Sequence, residues 1–269
     1  MAHDPYQILA HPFSLDGYAV IITGAGGAIG GATARVLAQA GANVVVSDLN
    51  LEAAEATAAT VQKATGRETI AVRTDVTSEA EQQALVDATL KKFGKISALI
   101  NNVGWGEYTP LWDVSIDYMM KSYLLNTVSA YSLSKLCLPH LKKQENASVT
   151  FSGSAVGTTP SPEFISYSNA KAALLHMSKS IAAMSGPEVR CNAIVIGSVD
   201  NGEATLKAGY DPEMLKRLAD SFVLKRRGAP YDIAYAFNYL LSPAAAWVTG
   251  IHLHVDGGGS YKSKMPTAD

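Results

Sequence analysis

Thr23-Gly24-Ala25-Gly26-Gly27-Ala28-Ile29-Gly30 is the stretch that decides the fold, because of what stands on either side of it. Before it, Tyr18 to Thr23 is β-branched and apolar on both faces, the pattern of a strand buried in a parallel sheet. After it, Ile29, Val36, Leu37 and Ala40 share one helical face, and Gly41 sits where a C-terminal cap would end that helix. A glycine run alone is most often a tight turn. Between a strand and a helix, however, its bare amides and the helix dipole can hold a pyrophosphate. Gly24, Gly26, Ile29 and Gly30 are the candidate contacts.

The same alternation runs on along the chain. Strands are expected at Val44-Val45-Val46, Ile70-Ala71-Val72, Ala98-Leu99-Ile100, Val149-Thr150-Phe151, Cys191 to Ile196 and Ile251 to Val255. Helices are expected at Leu51 to Thr65, through Ala84, Leu85, Ala88 and Leu90, and over Asp117 to Leu141, Tyr167 to Met184 and Pro230 to Leu241. Strand and helix in turn imply right-handed crossovers, and hence a doubly wound α/β fold: a seven-stranded parallel sheet flanked by helices, of Rossmann type. With no internal repeat and no low-complexity linker, residues 1–269 read as one domain.

The second strand ends in Ser47-Asp48, about where an acidic residue meets an adenosine ribose. A carboxylate there accepts from ribose hydroxyls and repels a 2′-phosphate, and no Lys or Arg lies in the glycine turn or directly after Asp48. NAD is therefore favoured over NADP, the plain alternative being that Asp48 only caps the next helix. Further on, Tyr167-Ser168-Asn169-Ala170-Lys171 sets a Tyr and a Lys one helical turn apart on one face. A cation about 5 Å from a phenol, at an effective dielectric of ~20, is worth roughly 3 kcal/mol, or about two pKa units. Lys171 is thus expected to lower the Tyr167 pKa.

These motifs stand in the order found in the short-chain dehydrogenase/reductase family, which the chain resembles over nearly its whole length. They are the glycine turn, Asp75-Val76, Asn101-Asn102-Val103-Gly104, Asn126, Ser154 and the Tyr167/Lys171 pair. The resemblance implies an NAD-dependent oxidoreductase acting on CH-OH groups. In it Tyr167 is the general acid/base, Lys171 holds the nicotinamide ribose and lowers the Tyr pKa, Ser154 polarises the substrate oxygen, and Asn126 positions a water for proton relay through Lys171. Ser152, two residues too early, packs or hydrogen-bonds in its strand. The resemblance further places Asp48 and Leu49 at the adenosine, Asp75 and Val76 around the adenine, Asn102 and Gly104 near the ribose, and Val199 and Asn201 at the carboxamide. Three positions depart from the family pattern: Ala28 replaces a Gly, Ile196 a Pro, and Asn201 a Thr.

Other classes find little support. A net charge of −2 gives no reason to expect nucleic acid or an anionic membrane. The two cysteines, Cys137 and Cys191, lie in apolar stretches without metal-ligand spacing, so no metal is expected. No leader pattern is visible in Met1-Ala2-His3-Asp4-Pro5, nor any apolar stretch of ~20 residues, and the expected compartment is cytoplasmic.

From Ser198 to Arg227, Leu206, Tyr210, Met214, Leu218 and Phe222 recur at helical spacing, giving either a substrate lid or an ordinary core-facing helix. The run Lys225-Arg226-Arg227 reads as a solvated loop or helix end, and less readily as a phosphate or carboxylate contact. Trp105 and Tyr108 either line a large apolar pocket or belong to the core. Within the family, Val45 to Asn50 and Ser242 to Gly250 most resemble bacterial 7α-hydroxysteroid dehydrogenases, implying a bulky, apolar small-molecule substrate. The alternatives are a 3-oxoacyl thioester reductase and a catalytically silent nucleotide-binding relative. Apolar helices over Asp117 to Leu141 and Tyr167 to Met184 suggest a homo-oligomer, in this family often a tetramer.

Overall fold

The structure, a computed structural model, describes residues 9–202 and 211–261. Met1 to Pro5, the expected lid positions Leu206 and Tyr210, and the last eight residues lie outside the described residues. Seven strands form one sheet in the order β3-β2-β1-β4-β5-β6-β7, with every pair parallel. They are β1 (Ala19–Thr23), β2 (Asn43–Asp48), β3 (Thr69–Arg73), β4 (Ala98–Asn101), β5 (Ala147–Ser152), β6 (Val189–Ile196) and β7 (His252–Val255). The order reverses between β1 and β4, and a doubly wound sheet opens its ligand crevice at such a reversal.

Alternate strand residues feed two cores. Val20, Ile22, Val44, Val46 and Ile100 pack beneath α1 (Ala28–Gln39) and α2 (Leu51–Thr65). Ile21, Val45, Leu99, Val149 and Phe151 face the other side, beneath α3 (Glu79–Phe93) and two helices described next. That alternation is the strand period of two expressed on a sheet with both faces covered.

The helix expected as one piece over Asp117 to Leu141 is three. α4 (Ile116–Tyr123) passes through a π-helical turn at Leu124–Val128 into α5 (Ser129–Leu141). Asn126 explains the break: its side-chain amide donates to Ser122 O at 3.0 Å, taking up a carbonyl of the preceding turn and opening the helix locally. The sixth helix, α6 (Ile165–Ser185), carries Tyr167 and Lys171, and π-turn Thr127 ties to it by donating to Ala170 O at 2.7 Å.

After β6 come α7 (Pro212–Ser221) and α8 (Pro230–Leu241). No residue of α7 is buried, which rules out the core-facing helix, while Phe222 just beyond it is buried. The α8 C-terminus rests on a buried cation: Arg190 of β6 donates to Leu240 O at 2.6 Å and Leu241 O at 3.1 Å, satisfying carbonyls the helix leaves open. Cys137 and Cys191 are both buried, and burial pushes each thiol up to about 12.

Candidate active site

The glycine turn is shaped by close approach of backbone to backbone. A Cβ at Gly30 would lie 2.4 Å from Gly24 O and 2.6 Å from the Ala25 Cα, so only glycine lets α1 start this close to β1. Gly24 has φ +64°, a left-handed conformation that glycine takes without strain. The N-terminus of α1 begins at Gly27 with no side-chain cap and no acidic residue in its first turn, unlike α2, α3 and α4, which Asn50, Ser78 and Ser115 cap. An uncapped, acid-free helix end opening from a glycine cradle fits an anionic pyrophosphate.

Asp48 completes this half of the cleft. One carboxylate oxygen accepts from Gly26 N at 2.9 Å and the other from Asn50 N at 3.0 Å. The helix cap is Asn50, whose side chain accepts from Ala53 N, so the alternative in which Asp48 merely caps α2 fails. Leu49 beside it is exposed. Asn102 works as a clamp: its amide donates to Thr23 O at 3.1 Å and Gly24 O at 3.3 Å, and its carbonyl accepts from Ser152 Oγ at 2.9 Å. It thereby ties the ends of β1, β4 and β5 together. Ser152 is accordingly a strand residue, as expected. Asp75 is locked by Thr77, whose hydrogen bonds hold its carboxyl below the usual value, and Val76 is buried.

The chemistry-bearing side chains converge where the fourth and fifth strands end. Ser154 hydrogen-bonds the Tyr167 phenol, and Lys171 Nζ lies 5.6 Å from the centre of the Tyr167 ring. Lys171 is fully buried, its Nζ donating to Ser152 O at 2.9 Å. The loop after β4 lies close over Lys171 and Tyr167. A Cβ at Gly104 would stand 2.6 Å from Lys171 Nζ, and one at Gly106 would stand 2.5 Å from the Tyr167 ring. Between these glycines Trp105 is held at both ends of its backbone by Asn126, which accepts from Trp105 N at 3.0 Å and donates to Trp105 O at 2.9 Å.

This burial overturns the expected electrostatics. The Tyr167 phenol is held above its usual value by burial, with the Ser154 hydrogen bond opposing, instead of being pulled down by Lys171. Burial pushes Lys171 itself down to about 7, so near neutral pH the ammonium charge that should act on the phenol is only partly present. Spacing alone lowers the phenol only beside a fully charged, solvated lysine.

Trp105 and Tyr108 are exposed rather than core. Trp105 meets Tyr118 with ring centres 6.1 Å apart, and Tyr108 stands edge-on to Phe164 at the same separation, which makes an aromatic wall beside Tyr167. Tyr118 and Phe164 escaped the sequence, since each meets the loop after β4 only in the fold: Tyr118 of α4 accepts from Glu107 N at 3.1 Å, and Thr109 bridges to Phe164 across 55 positions. At the far end, Val199 is buried and bridges Gly228, and Asn201 is exposed. The Lys225-Arg226-Arg227 run is a solvated loop at Lys225 and Arg226, the latter in a bidentate pair with Asp232 at 2.7 and 3.0 Å, whereas Arg227 turns inward.

A family model described as enoyl-(acyl carrier protein) reductase matches residues 24–260. The 7alpha-hydroxysteroid dehydrogenase of Escherichia coli strain K12 is 37% identical over 246 residues, covering 91% of this chain and 95% of that protein. Among solved structures, a 7 alpha-hydroxysteroid dehydrogenase complexed with NADH and 7-oxo glycochenodeoxycholic acid superposes with a TM-score of 0.89 at 36% identity, covering 94% of this chain and 98% of the other. An NAD+-bound xylitol dehydrogenase reaches a TM-score of 0.84 at 29% identity over 90% of this chain and 99% of its own.

Proposed function

The chain belongs to the short-chain dehydrogenase/reductase family, and from that premise we propose that it is an NAD-dependent oxidoreductase interconverting a secondary alcohol and a ketone. The observation that carries this is the convergence of Ser154, Tyr167 and Lys171 at the strand ends, with Ser154 bonded to the phenol and Lys171 buried beneath it. A module that only bound nucleotide has no use for all three.

NAD, when bound, supplies the hydride acceptor and, in its oxidised form, a positive charge. Gly24, Gly26, Ile29 and Gly30 cradle its pyrophosphate; Asp48, Leu49, Asp75, Val76, Asn102 and Gly104 line the adenosine side; Val199 and Asn201 serve the carboxamide. Asp48, with one oxygen on Gly26 N of the glycine turn and the other on Asn50 N, disfavours a 2′-phosphate. Ser154 and Tyr167 would hydrogen-bond the substrate oxygen; with the positive charge of the oxidised cofactor favouring the phenolate, Tyr167 Oη would take the hydroxyl proton in oxidation and, as the phenol, return it in reduction. Lys171, poised near 7, holds the nicotinamide ribose and can carry or yield a proton at Nζ. Asn126 holds the π turn against Trp105 and positions the relay water there.

The substrate is bulky and apolar, a hydroxysteroid or a comparable cyclic alcohol. The aromatic wall supports this, as do the relatives' names. Residues 198–227 act as its lid. Ile116, Met120, Leu124, Val128 and Tyr131 form an exposed apolar ridge at helical spacing, and a second copy of the chain covering it would give a dimer, the unit from which the expected homotetramer is built through a further interface. Light scattering after gel filtration reads the assembly, and a monomer at micromolar concentration overturns it. No helix among the described residues is long and apolar enough to cross a membrane, and the compartment proposed is the cytoplasm.

A nicotinamide absorbance assay with NAD and NADP, over steroid, cyclic and acyclic alcohols, tests the whole. Tyr167→Phe is expected to cut NAD-dependent turnover by about 10²–10⁴-fold. No turnover on any substrate, joined to no NAD binding by calorimetry, would return the chain to the silent relatives.

A further inference from the structure

Of the three cations in the Lys225-Arg226-Arg227 run, Arg227 is the one placed against the end of β6. Its Nη2 donates to Val199 O at 2.6 Å, its Nε donates to Ser198 Oγ at 3.0 Å, and Nη1 stands 3.5 Å from Asp200 Oδ1. Only 13% of the side chain is exposed. Backbone bonds run beside these contacts: Asp200 N donates to Gly228 O at 2.8 Å, and Gly228 N donates to Ser198 O at 2.9 Å. The two ends of the 198–228 excursion are thus stitched into a neck, and one guanidinium supplies three of its contacts.

The consequence for Val199 is specific. The peptide before it is fixed by Gly228 N on Ser198 O. The peptide after it is fixed twice, by Arg227 on Val199 O and by Gly228 O on Asp200 N. Both peptide planes flanking Val199 are therefore pinned, and with them the direction of its N–H. A planar fork of donors can serve three acceptors on consecutive residues, whereas a lysine ammonium on a flexible stem cannot hold the same set. Asp200, 60% exposed, contributes little as an ion-pair partner, so the geometry favours backbone positioning over charge pairing.

We propose that Arg227 is a positioning residue for the nicotinamide end of the cleft, pre-organising the Val199 backbone for the cofactor's carboxamide. This rests on the NAD reading above. Arg227 touches neither substrate nor cofactor; it acts through Val199, and the affinity it secures is for the whole dinucleotide.

The test measures NADH binding by fluorescence titration for the wild type, Arg227→Leu, Arg227→Lys and Arg227→Ala, the last with and without millimolar guanidinium. Melting curves and amide exchange over 198–200 run beside it. Expected are a weakening of NADH affinity by about tenfold in the Leu and Lys variants, a KM for NAD raised more than kcat is lowered, and recovery of Arg227→Ala by guanidinium. A folded Arg227→Leu that binds NADH as the wild type does overturns the proposal, even where exchange at 198–200 quickens, since Arg227 would then be a structural staple only. Full affinity in Arg227→Lys overturns it too. Should Arg227→Leu fail to fold, Arg227→Lys and the guanidinium rescue decide. A wild type that binds no NADH at all fails differently: it removes the NAD reading, and this inference with it.

Discussion

The two ends of the cleft are held open by different means. At the glycine turn, backbone meets backbone at Gly30 at distances where no side chain fits, and polar side chains only brace it, Asp48 reaching 22 positions back to Gly26 and Asn102 holding Thr23 O and Gly24 O. At the lid neck, Gly228 has room to spare, and the geometry is imposed by a long side chain, Arg227, reaching 28 positions back to Val199. The first end tolerates no side chain at Gly30 yet depends on few partners. The second tolerates substitution in its backbone but depends on one guanidinium. A shared ligand portion can be met by an invariant backbone shape, while the end that faces varied substrates can be retuned by exchanging a side chain.

Putting a Cβ into each end in turn breaks or sharpens this contrast. Gly30→Ala drives a methyl to 2.4 Å from Gly24 O. It should destabilise the fold by about 3 kcal/mol and remove measurable NADH binding, in chemical denaturation and titration respectively. A stable Gly30→Ala protein with normal affinity would remove the rigid half of the comparison.

Where the two ends meet, Lys171 carries a penalty that depends on pH. Its folded pKa of about 7 lies below the ordinary 10.5, so between those values the unfolded chain binds the extra proton. The penalty is then complete below about pH 7 and fades as pH rises towards 10.5. Lys171→Met removes it, and should stabilise the cofactor-free protein by about 2–3 kcal/mol more at pH 6 than at pH 9. Equal gains at both values would mean that the lysine is solvated.

Asp48→Ala should raise the KM for NAD by about tenfold and let NADP compete, since the carboxylate that orders Gly26 and repels a 2′-phosphate is gone. The smallest effect is expected at Gly228→Ala, whose new methyl meets its nearest neighbour, a Val199 methyl, at 3.5 Å. Stability should change by less than about 0.5 kcal/mol. A large loss there would show the neck to be as intolerant as the glycine turn.

What the sequence disclosed follows the same division. The strands, the glycine turn, Asp48 and the Ser154/Tyr167/Lys171 set are local patterns or fixed spacings, and the strand ends fall within two residues of expectation. The clamp of Asn126 on Trp105 was not legible, because it spans 21 positions. Nor was the raised Tyr167 pKa, which follows from how closely Gly104 and Gly106 lie on Lys171 and Tyr167. Arg227 was read as a solvated charge because nothing local distinguishes it from Arg226; only the fold brings it to Val199.

The two buried cysteines have a practical use. With both thiols pushed up to about 12 and enclosed in the core, neither offers a thiolate to an electrophile at neutral pH. A cysteine introduced at the exposed Lys216 of α7 would then be the only thiol open to labelling, and a dye there would report how α7 moves when cofactor and substrate arrive, without first stripping the protein of its own cysteines.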